Sequence, residues 1–597
     1  SAVHQIEFHR KEVTNSPFPY GLKLLLRFAG DWFHGGDPAT SLKFDTLMER
    51  LFKELKEGAF LENRLRQYFI GNPHRVRVML LPDPSFSEKE DMRVDNELSQ
   101  ILTRLSESEL NEILEDAQAL EAQQDAKEDL SCLPTLQIED ISPDISRVCE
   151  SKTYGLEPAV CYEQPTSGIF YFSSAIGIEP LSPELLPLLP FFCNCLVRFN
   201  TTLHSYSELA QMIDLHTGGM GVSVNASTSF SNLPEGICLP MISFNAKCLS
   251  RNVGHMFDLI EEVLCCFDFS DLNLLRRLLL EYRADMESAV VENGHRFAIS
   301  LASRNYSIAS ALNETWHGIH QLKTIKEMTD DLSDEKLGLI AGNLHRIAGD
   351  ILKNNQMRIA LVGEKNDLIH AIDRAAALNN RLIAKPGDGF RAPFMELNRN
   401  LVHEGWSTSS SVSFVASVFE TCRLDHEDAP ALAVISKLLR SLFLHREIRE
   451  KGGAYGGFAS YQLENGLFAY GSYRDPHIIN TLQVYDDASA FITSGDYSEE
   501  NINESTLQIC ADIDRPDTPG PAALKSFYRK LIHLTDDMRQ HFKTRLLSIN
   551  REQVISTAEK YFGGNKQAAS VAVISNEGAL KEANSQLKNI ALTLHRI

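Results

Sequence analysis

The chain has 597 residues, room for three to five domains at about 150 residues each. It is 43% hydrophobic and 23% charged, ordinary values for a globular protein with a large core. Lys and Arg total 58 against 80 Asp and Glu, a net charge of −22. That argues against a duplex nucleic-acid binder, which needs a basic footprint, and Leu185–Val197, the greasiest stretch, is broken by Pro187, Pro190 and Asn194 and too short to span a bilayer.

In chain order, residues 1–83 end in a helix around Leu61–Phe69 and a β-rich stretch, His74-Arg-Val-Arg-Val-Met-Leu-Leu. Residues 84–140 then carry sixteen acids and four bases. Two Ser-x-x-Glu capping boxes, Ser85 to Glu88 and Ser106 to Glu109, mark helix starts. Met92, Val94, Leu98, Ile101, Leu102 and Leu105 form an apolar stripe before the second box. Leu110, Ile113, Leu114, Ala117 and Leu120 form another after it. The reading is an antiparallel helical hairpin over 84–144 with one apolar seam and a negative outer face. It serves as a connector between segments of α+β character.

The remainder repeats itself. In 145–366 a strand at Gly168–Gly177 precedes a helix over 183–198, then a second helix, boxed by Ser205 and Glu208, that ends at Gly218-Gly219. Strands follow at Gly221–Phe230 and Pro240–Ala246. In 367–597 Val412, Phe414, Ala416 and Val418 alternate as a half-buried strand. A helix over 430–443, a shorter one ending at Gly452-Gly453, and strands at Ala454–Tyr461 and Gly466–Tyr473 come next. Both copies close on a helix and a β-rich strand, Met357–Gly363 and Ala569–Ser575. His74–Leu81 resembles a third such ending with too little chain before it, so the expectation is that the chain begins inside a domain.

None of the 19 histidines starts a His-x-x-Glu-His or His-Glu-x-x-His pattern, the spacings that set two imidazoles and a carboxylate base on one helical face. His9-Arg-Lys-Glu12 begins one, but Val13 stands where the second ligand would. His317 and His320, at i and i+3, read as ordinary helix histidines for want of a third ligand nearby. There is no P-loop, dinucleotide fingerprint or Gly-x-Ser-x-Gly elbow. The eleven cysteines contain no Cys-x-x-Cys pair. They read as buried thiols, as at Cys265 and Cys266, which favours a reducing compartment.

One segment stands out, His445-Arg-Glu-Ile-Arg-Glu-Lys-Gly-Gly-Ala-Tyr-Gly-Gly-Phe458. Glycine at 452–453 suits a left-handed helix cap. Arg449 falls in the last helical turn and Tyr455 at the opening of the next strand. Gly456 and Gly457 remove side chains where another backbone could approach. Two readings stay open at this point. The pair could aim a guanidinium and a phenol at one ligand, or Arg449 could simply complement the helix C-terminus while Tyr455 serves as a strand residue. Matching the Gly-Gly pairs sets Leu215 and Gly221 opposite Arg449 and Tyr455, so only the second copy carries polar groups there.

Ile448-Arg-Glu-Lys-Gly-Gly-Ala-Tyr-Gly-Gly and Gly471-Ser-Tyr-Arg-Asp-Pro476 resemble the fourth domain of the presequence protease and falcilysin branch of the pitrilysin/insulinase-type zinc metallopeptidases. His4-Gln-Ile-Glu-Phe resembles the end of that family's second domain. Leu133-Pro-Thr-Leu-Gln-Ile-Glu-Asp-Ile resembles the exit from its hinge, and His216-Thr-Gly-Gly resembles its third domain. The resemblance implies an α+β fold of two related α/β-roll domains, 145–366 and 367–597, each an antiparallel sheet with helices on one face. A helical-hairpin hinge (84–144) and the tail of a third such domain (1–83) would precede them.

It further implies the C-terminal half of a zinc metalloendopeptidase that degrades unfolded, presequence-like peptides in a closed chamber. Arg449 and Tyr455 would act at the scissile peptide, with Gly452, Gly453 and Gly456 at the substrate. His445, Arg446, Arg474 and Asp475 are further candidates to line the cleft, or else surface and structural residues. Zinc and the general base would come from a complementary N-terminal portion, no zinc ligand being identified in this chain, which alone would be inactive. Peptides are the expected substrates, with neither nucleic acid nor membrane as partner, in a bacterial cytoplasm or an organelle matrix. The alternatives are a naturally non-catalytic peptide-binding or scaffolding subunit of the same fold, or an unrelated α+β binding protein.

Overall fold

A computed structural model describes residues 1–125, 136–151, 159–179, 181–231, 236–352, 357–382, 390–392, 395–563, 568–587 and 591–597. The chain forms two compact units, one of residues 1–38 with 137–597 and the other of residues 39–136. The start of the expected hinge exit, Leu133 to Thr135, and Cys132 lie outside the described residues.

The larger unit holds two sheets. The first contains β1 (Ala159–Glu163), β2 (Ile169–Gly177), β3 (Met220–Thr228), β4 (Cys238–Leu249) and β5 (Met357–Gly363) in the order β1-β5-β2-β4-β3. The second contains β6 (His403–Ser407), β7 (Phe414–Glu420), β8 (Gly456–Gln462), β9 (Leu467–Tyr473), β10 (Ser570–Ser575) and β11 (Thr593–Arg596) in the order β11-β6-β10-β7-β9-β8. The fold is therefore mixed α+β in two sheets. Both closing strands foreseen in the sequence, β5 and β10, run through sheet interiors with a neighbour on each side. The sheets are mixed rather than purely antiparallel, because β1 pairs parallel with β5, and β6 pairs parallel with both β10 and β11. Each parallel pair joins strands far apart in sequence, which a hairpin cannot do.

Helices cover both faces of each sheet, not one. Phe170, Phe172, Ile176, Ile242 and Phe244 pack on one side of the first sheet, with helices Leu189–Leu196 and Val253–Cys265. Its other side, with Tyr171, Ala175, Met241 and Val362, receives Ala523, Phe527 and Leu531 of helix Pro519–Leu531, which comes from the second copy. The exchange is reciprocal: Phe414, Ala416, Val418 and Ile574 of the second sheet join the core of helix Leu272–Ser303, which comes from the first copy. For this reason β7 is buried at every residue but its last, where alternation in the sequence implied a half-buried strand.

Local signals hold where the chain closes them itself. Ser205 and Glu208 form the reciprocal capping box of helix Tyr206–His216, and Ser106 with Glu109 do the same for helix Glu107–Asp125. Ser85 makes no side-chain cap bond, and its Oγ donates to Asp83 at 2.8 Å. The helix expected to stop near Phe443 runs on from Ala429–Leu438 as a wider-wound π-type segment, Leu439–Lys451. Cys193, Cys195 and Cys248 are buried, and burial pushes the Cys161 thiol up to about 11, but Cys149 and Cys265 are exposed.

In the smaller unit helices Phe86–Arg104 and Glu107–Asp125 form as expected, but their stripes do not close a seam. Met92, Leu98, Ile101, Leu102, Ile113 and Leu114 are all exposed. Helix Phe60–Leu65 continues as a π-type turn, Arg66–Ile70. His74–Leu81 forms no strand and no bridge among the described residues, leaving Val76, Val78 and Leu80 exposed. A strand needs a neighbour for its N–H and C=O groups, and residues 39–125 contain no sheet. Among the described residues no helix is long and apolar enough to cross a membrane.

Candidate functional site

The segment 445–458 forms a helix-to-strand junction at the edge of the second sheet. Gly452 follows the helix, its N–H donating to the Arg449 carbonyl, and Gly453 adopts φ +72°, the left-handed region glycine tolerates. The Gly453 and Ala454 N–H groups close the end on Arg449 O (3.0 Å) and Ile448 O (3.1 Å), satisfying carbonyls that a helix end leaves open. A Cβ at Gly452 would stand 2.6 Å from Ile448 O, and one at Gly457 2.7 Å from the Ile448 side chain. The missing side chains therefore let the strand lie against the helix. Gly453 and Gly456 have open space where a Cβ would go.

Arg449 and Tyr455 stand at the two sides of this turn. Arg449 is exposed, and its Nη1 donates to His445 Nε2 at 3.0 Å. Because that nitrogen accepts, Nδ1 of His445 carries the proton and donates to Glu450 Oε1 at 3.2 Å. The relay aims the guanidinium without neutralising it, and no ion pair to Arg449 is present among the described residues. Tyr455 is 68% exposed. Its N–H reaches Tyr473 O (3.1 Å) at the end of β9 and Arg474 O (3.4 Å) just beyond it, and its ring meets Tyr473 edge-on at 5.4 Å. Arg446 is exposed beside Glu447.

The β9 side of the junction is tightly held. The guanidinium of Arg474 lies 5.4 Å from the Tyr473 ring centre, and its backbone takes φ +50°, a conformation that strains non-glycine residues. Asp475, 1% exposed, anchors that bend. Its carboxylate accepts from Thr481 Oγ1 (2.6 Å) and His477 N (2.9 Å), while its backbone exchanges two hydrogen bonds with Ser413. Burial holds the Asp475 carboxyl above the usual carboxylate range. Asp475 is thus a buried anchor, not a residue on an open surface.

A residue that sequence reasoning missed supports Tyr473 from behind. Helix Leu272–Ser303 breaks its helical dihedrals at Asn293 (φ −124°, ψ 25°). Just beyond, the His295 ring lies edge-on to Tyr473 (4.9 Å) and Phe458 (5.7 Å). Its Nδ1 is buried without a partner among the described residues, and burial lowers its pKa. Gly294 lets Phe414 approach, a Cβ there falling 2.3 Å from that ring. Asn-Gly inside a long helical pattern was the available signal, but nothing in the sequence connects it to Tyr473.

The equivalent junction of the first copy is filled. Phe8, on helix Ala2–Lys11, is fully buried, and a Cβ at Gly218 would fall 2.1 Å from its Cζ. Glu7 pairs in two contacts with Arg251 (2.8 and 2.6 Å), and Glu12 with Lys247 (2.7 and 2.9 Å). His317 and His320 do not share a helix, since Gly318 separates Ile308–His317 from Ile319–Thr329. His317 bonds Val224 O at 2.8 Å, and His320 bonds Glu314 at 2.9 Å. Among the described residues no group of three His, Cys, Asp or Glu side chains is placed to hold a metal ion. The residues described here therefore do not fit a zinc site.

A family model for a region associated with M16 peptidases of subfamily C matches residues 80–328, and one described as "PreP C-terminal domain" matches 407–577. The chain is 29% identical to the mitochondrial presequence protease of Xenopus laevis over 96% of its own length and 58% of that protein's. Along nearly its whole length the chain is similar to the presequence-protease branch of the M16 peptidases. Other members of the branch that it resembles include the Danio rerio mitochondrial enzyme, at 30% identity over 96% of the chain and 57% of that protein, and presequence protease 1 of Arabidopsis thaliana, at 26% over 99% and 54%. The chain thus spans somewhat over half the length of these M16 relatives. A solved structure titled as a peptidase M16 inactive domain from Pseudomonas fluorescens shares the fold at TM-score 0.50 and 14% identity, covering 72% of this chain and 98% of that one. A conserved Enterococcus faecalis protein does so at TM-score 0.51 and 13%, over 72% and 99%.

Proposed function

We propose that this chain supplies one half of a metalloendopeptidase that cuts unfolded, presequence-like peptides, and that Arg449 and Tyr455 act at the scissile peptide. The observation that carries this reading is the exposure of both groups beside one glycine-rich turn. Among the described residues the phenol's hydroxyl has no intramolecular bond, and the guanidinium is held only by a neutral imidazole. A phenol can donate to a carbonyl oxygen as negative charge develops there, and a nearby guanidinium adds fixed positive charge. The open Gly453 and Gly456 positions leave room for a peptide backbone. Zinc and its base are assigned to a complementary N-terminal polypeptide, in keeping with the greater length of the relatives.

In this reading residues 1–83 form part of an α/β domain, 84–144 a hinge, and 145–366 and 367–597 two α/β-roll domains. An organelle matrix is the proposed compartment, supported by the mitochondrial designation of the relatives. The deciding experiment mixes the chain with the N-terminal portion of a presequence protease and follows cleavage of an unstructured peptide. Turnover should require both parts and should fall at least 100-fold in Arg449→Leu and in Tyr455→Phe with folding intact. Unchanged turnover would return the pair to structural roles and favour a non-catalytic, peptide-binding subunit. Zinc-dependent cleavage by the chain alone would overturn the division of labour.

A further inference from the structure

The two sheets treat their free edges differently. In the first, β3 is the edge strand. The Lys247 N–H bonds Gly219 O, so by antiparallel alternation the main-chain groups of Val224, Ala226 and Thr228 point outward. All three residues are met by side chains. His317 Nε2 bonds Val224 O at 2.8 Å, Asn313 takes both the N–H and C=O of Ala226 (3.1 and 2.8 Å), and Glu464 accepts from Thr228 N at 2.5 Å. Over these three residues the edge is covered, as free edges usually are.

The second sheet ends in β8. The Thr421 N–H bonds Gly466 O, so β9 turns the main-chain groups of Leu467, Ala469, Gly471 and Tyr473 toward β8, and the outward groups of β8 are those of Gly457, Ala459 and Tyr461. None of these has a partner among the described residues. The edge opens instead on a cavity of about 370 Å³. Phe458 and Ser460, and also Ala459 and Tyr461, line it. Successive strand residues face opposite sides, so a cavity lined by both sets lies along the edge itself and not over one face. Ile509 and Ile513 of helix Glu499–Ile513 and Phe542 make its apolar wall, with the Lys437–Asp512 ion pair (2.8 Å) at the rim. Strand edge and overhanging helices together form a groove with unpaired backbone along one wall and Ser436 and Arg440 also among its lining residues.

We propose that this groove binds an extended peptide, which adds to β8 as a further strand and seats one large apolar side chain in the cavity. The inference rests on the peptidase reading for its ligand and deepens it. The groove is continuous with the candidate site, since β8 starts one residue beyond Tyr455. At about 3.4 Å per residue, the level of Phe458 to Tyr461 is roughly 10–20 Å from that phenol. A peptide cut at Tyr455 would therefore be gripped three to six residues away. Main-chain pairing supplies sequence-tolerant affinity, and the cavity supplies a preference for an apolar residue at that spacing.

The test uses the whole 597-residue chain and three fluorescein-labelled peptides of about 12 residues, enough to span β8 and its approach: an unstructured one with a central Leu-Phe pair, a twin with Ser at both positions, and a twin N-methylated at alternate residues. The first should bind and slow hydrogen exchange at Gly457, Ala459 and Tyr461. Both twins should bind at least tenfold more weakly. Ala459→Pro removes one outward N–H, a change an edge strand accommodates, and should also weaken the first peptide tenfold with an unchanged Tm. Should that variant fail to fold, the N-methylated twin still decides the question on the unaltered protein. Equal binding of the N-methylated twin, or protection confined to other residues, overturns the proposal. Failure of the peptidase reading would be visible separately, as turnover of the reconstituted enzyme indifferent to Arg449 and Tyr455.

Discussion

The ring of Phe8 occupies the space that a side chain on Gly218 would need, a Cβ there falling 2.1 Å from Phe8 Cζ. Two segments some 210 residues apart in sequence thus depend on each other sterically. Gly218→Ala should expel the ring and release helix Ala2–Lys11, losing the roughly 1.5–3 kcal/mol of a buried Phe side chain. Hydrogen exchange in residues 2–11 should rise sharply while the two sheets keep their protection. Unchanged protection of that helix would mean that Phe8 contributes nothing to its docking.

The same contact should loosen in acid. Burial lowers the pKa of His4 and of His216, and the hydrogen bond from Arg251 lowers that of Glu7. Each group binds its proton more readily in the undocked chain, so stability is full above its ordinary pKa and lost as pH falls. For the histidines the loss begins below 6.5, and for Glu7 below 4.5. The His255 ring, tilted 32° with its centre 4.4 Å from that of His216, and the cations Lys11, Lys247 and Arg251 face the same cluster, and the cations add to the repulsion once His4 and His216 charge. Exchange rates in residues 2–11, corrected for intrinsic pH dependence, should climb from about pH 7 to about pH 5 and climb again below 4.5. A flat profile would exclude these groups as the docking control.

What the sequence makes legible is what each copy settles locally. Ser205 and Glu208 cap their own helix, Gly452 and Gly453 end theirs, and the apolar runs of β5 and β10 mark interior strands. The candidate pair could be found because Arg449 and Tyr455 belong to one short turn. What stays hidden depends on long-range partners. The exchange of helices Leu272–Ser303 and Pro519–Leu531 buries faces that read as half-exposed, and His295 reaches Tyr473 from a different sheet's copy. Conversely, His74–Leu81 carries a strand pattern that finds no sheet in its unit among the described residues, since alternation specifies a face but cannot supply a neighbour.

Gly294 tests the exchanged helix. A Cβ there would fall 2.3 Å from the Phe414 ring, inside a core shared by both copies. Alanine would ordinarily stabilise a helix relative to glycine by about 1 kcal/mol, so any loss reports the close approach. Gly294→Ala should be destabilising by about 1–3 kcal/mol through overpacking, read as a lower urea midpoint with unchanged slope. A stabilised variant would show that the helix does not pack so closely on β7.

Asp475 should matter to stability and to the candidate site at once. Replacement by Ala strips the acceptors from Thr481 Oγ1 and His477 N, a cost of about 1.5–3 kcal/mol for bonds to a charged group. It would also free the bend that holds Arg474 at φ +50°. Because burial raises this carboxyl's pKa, the folded state binds the proton more tightly than the unfolded chain. Stability from this group is therefore fully present below the ordinary carboxyl value of 3.8 and is lost as pH rises through the elevated folded pKa. Asp475→Asn, which keeps one carbonyl acceptor and never ionises, should remove that part of the pH dependence. Above the folded pKa, the gap between Asn and wild type should shift in favour of Asn. If instead the two unfolding midpoints stay parallel from about pH 3.5 to about pH 7, the carboxyl is not held above its ordinary range, and its burial in the bend has been misjudged.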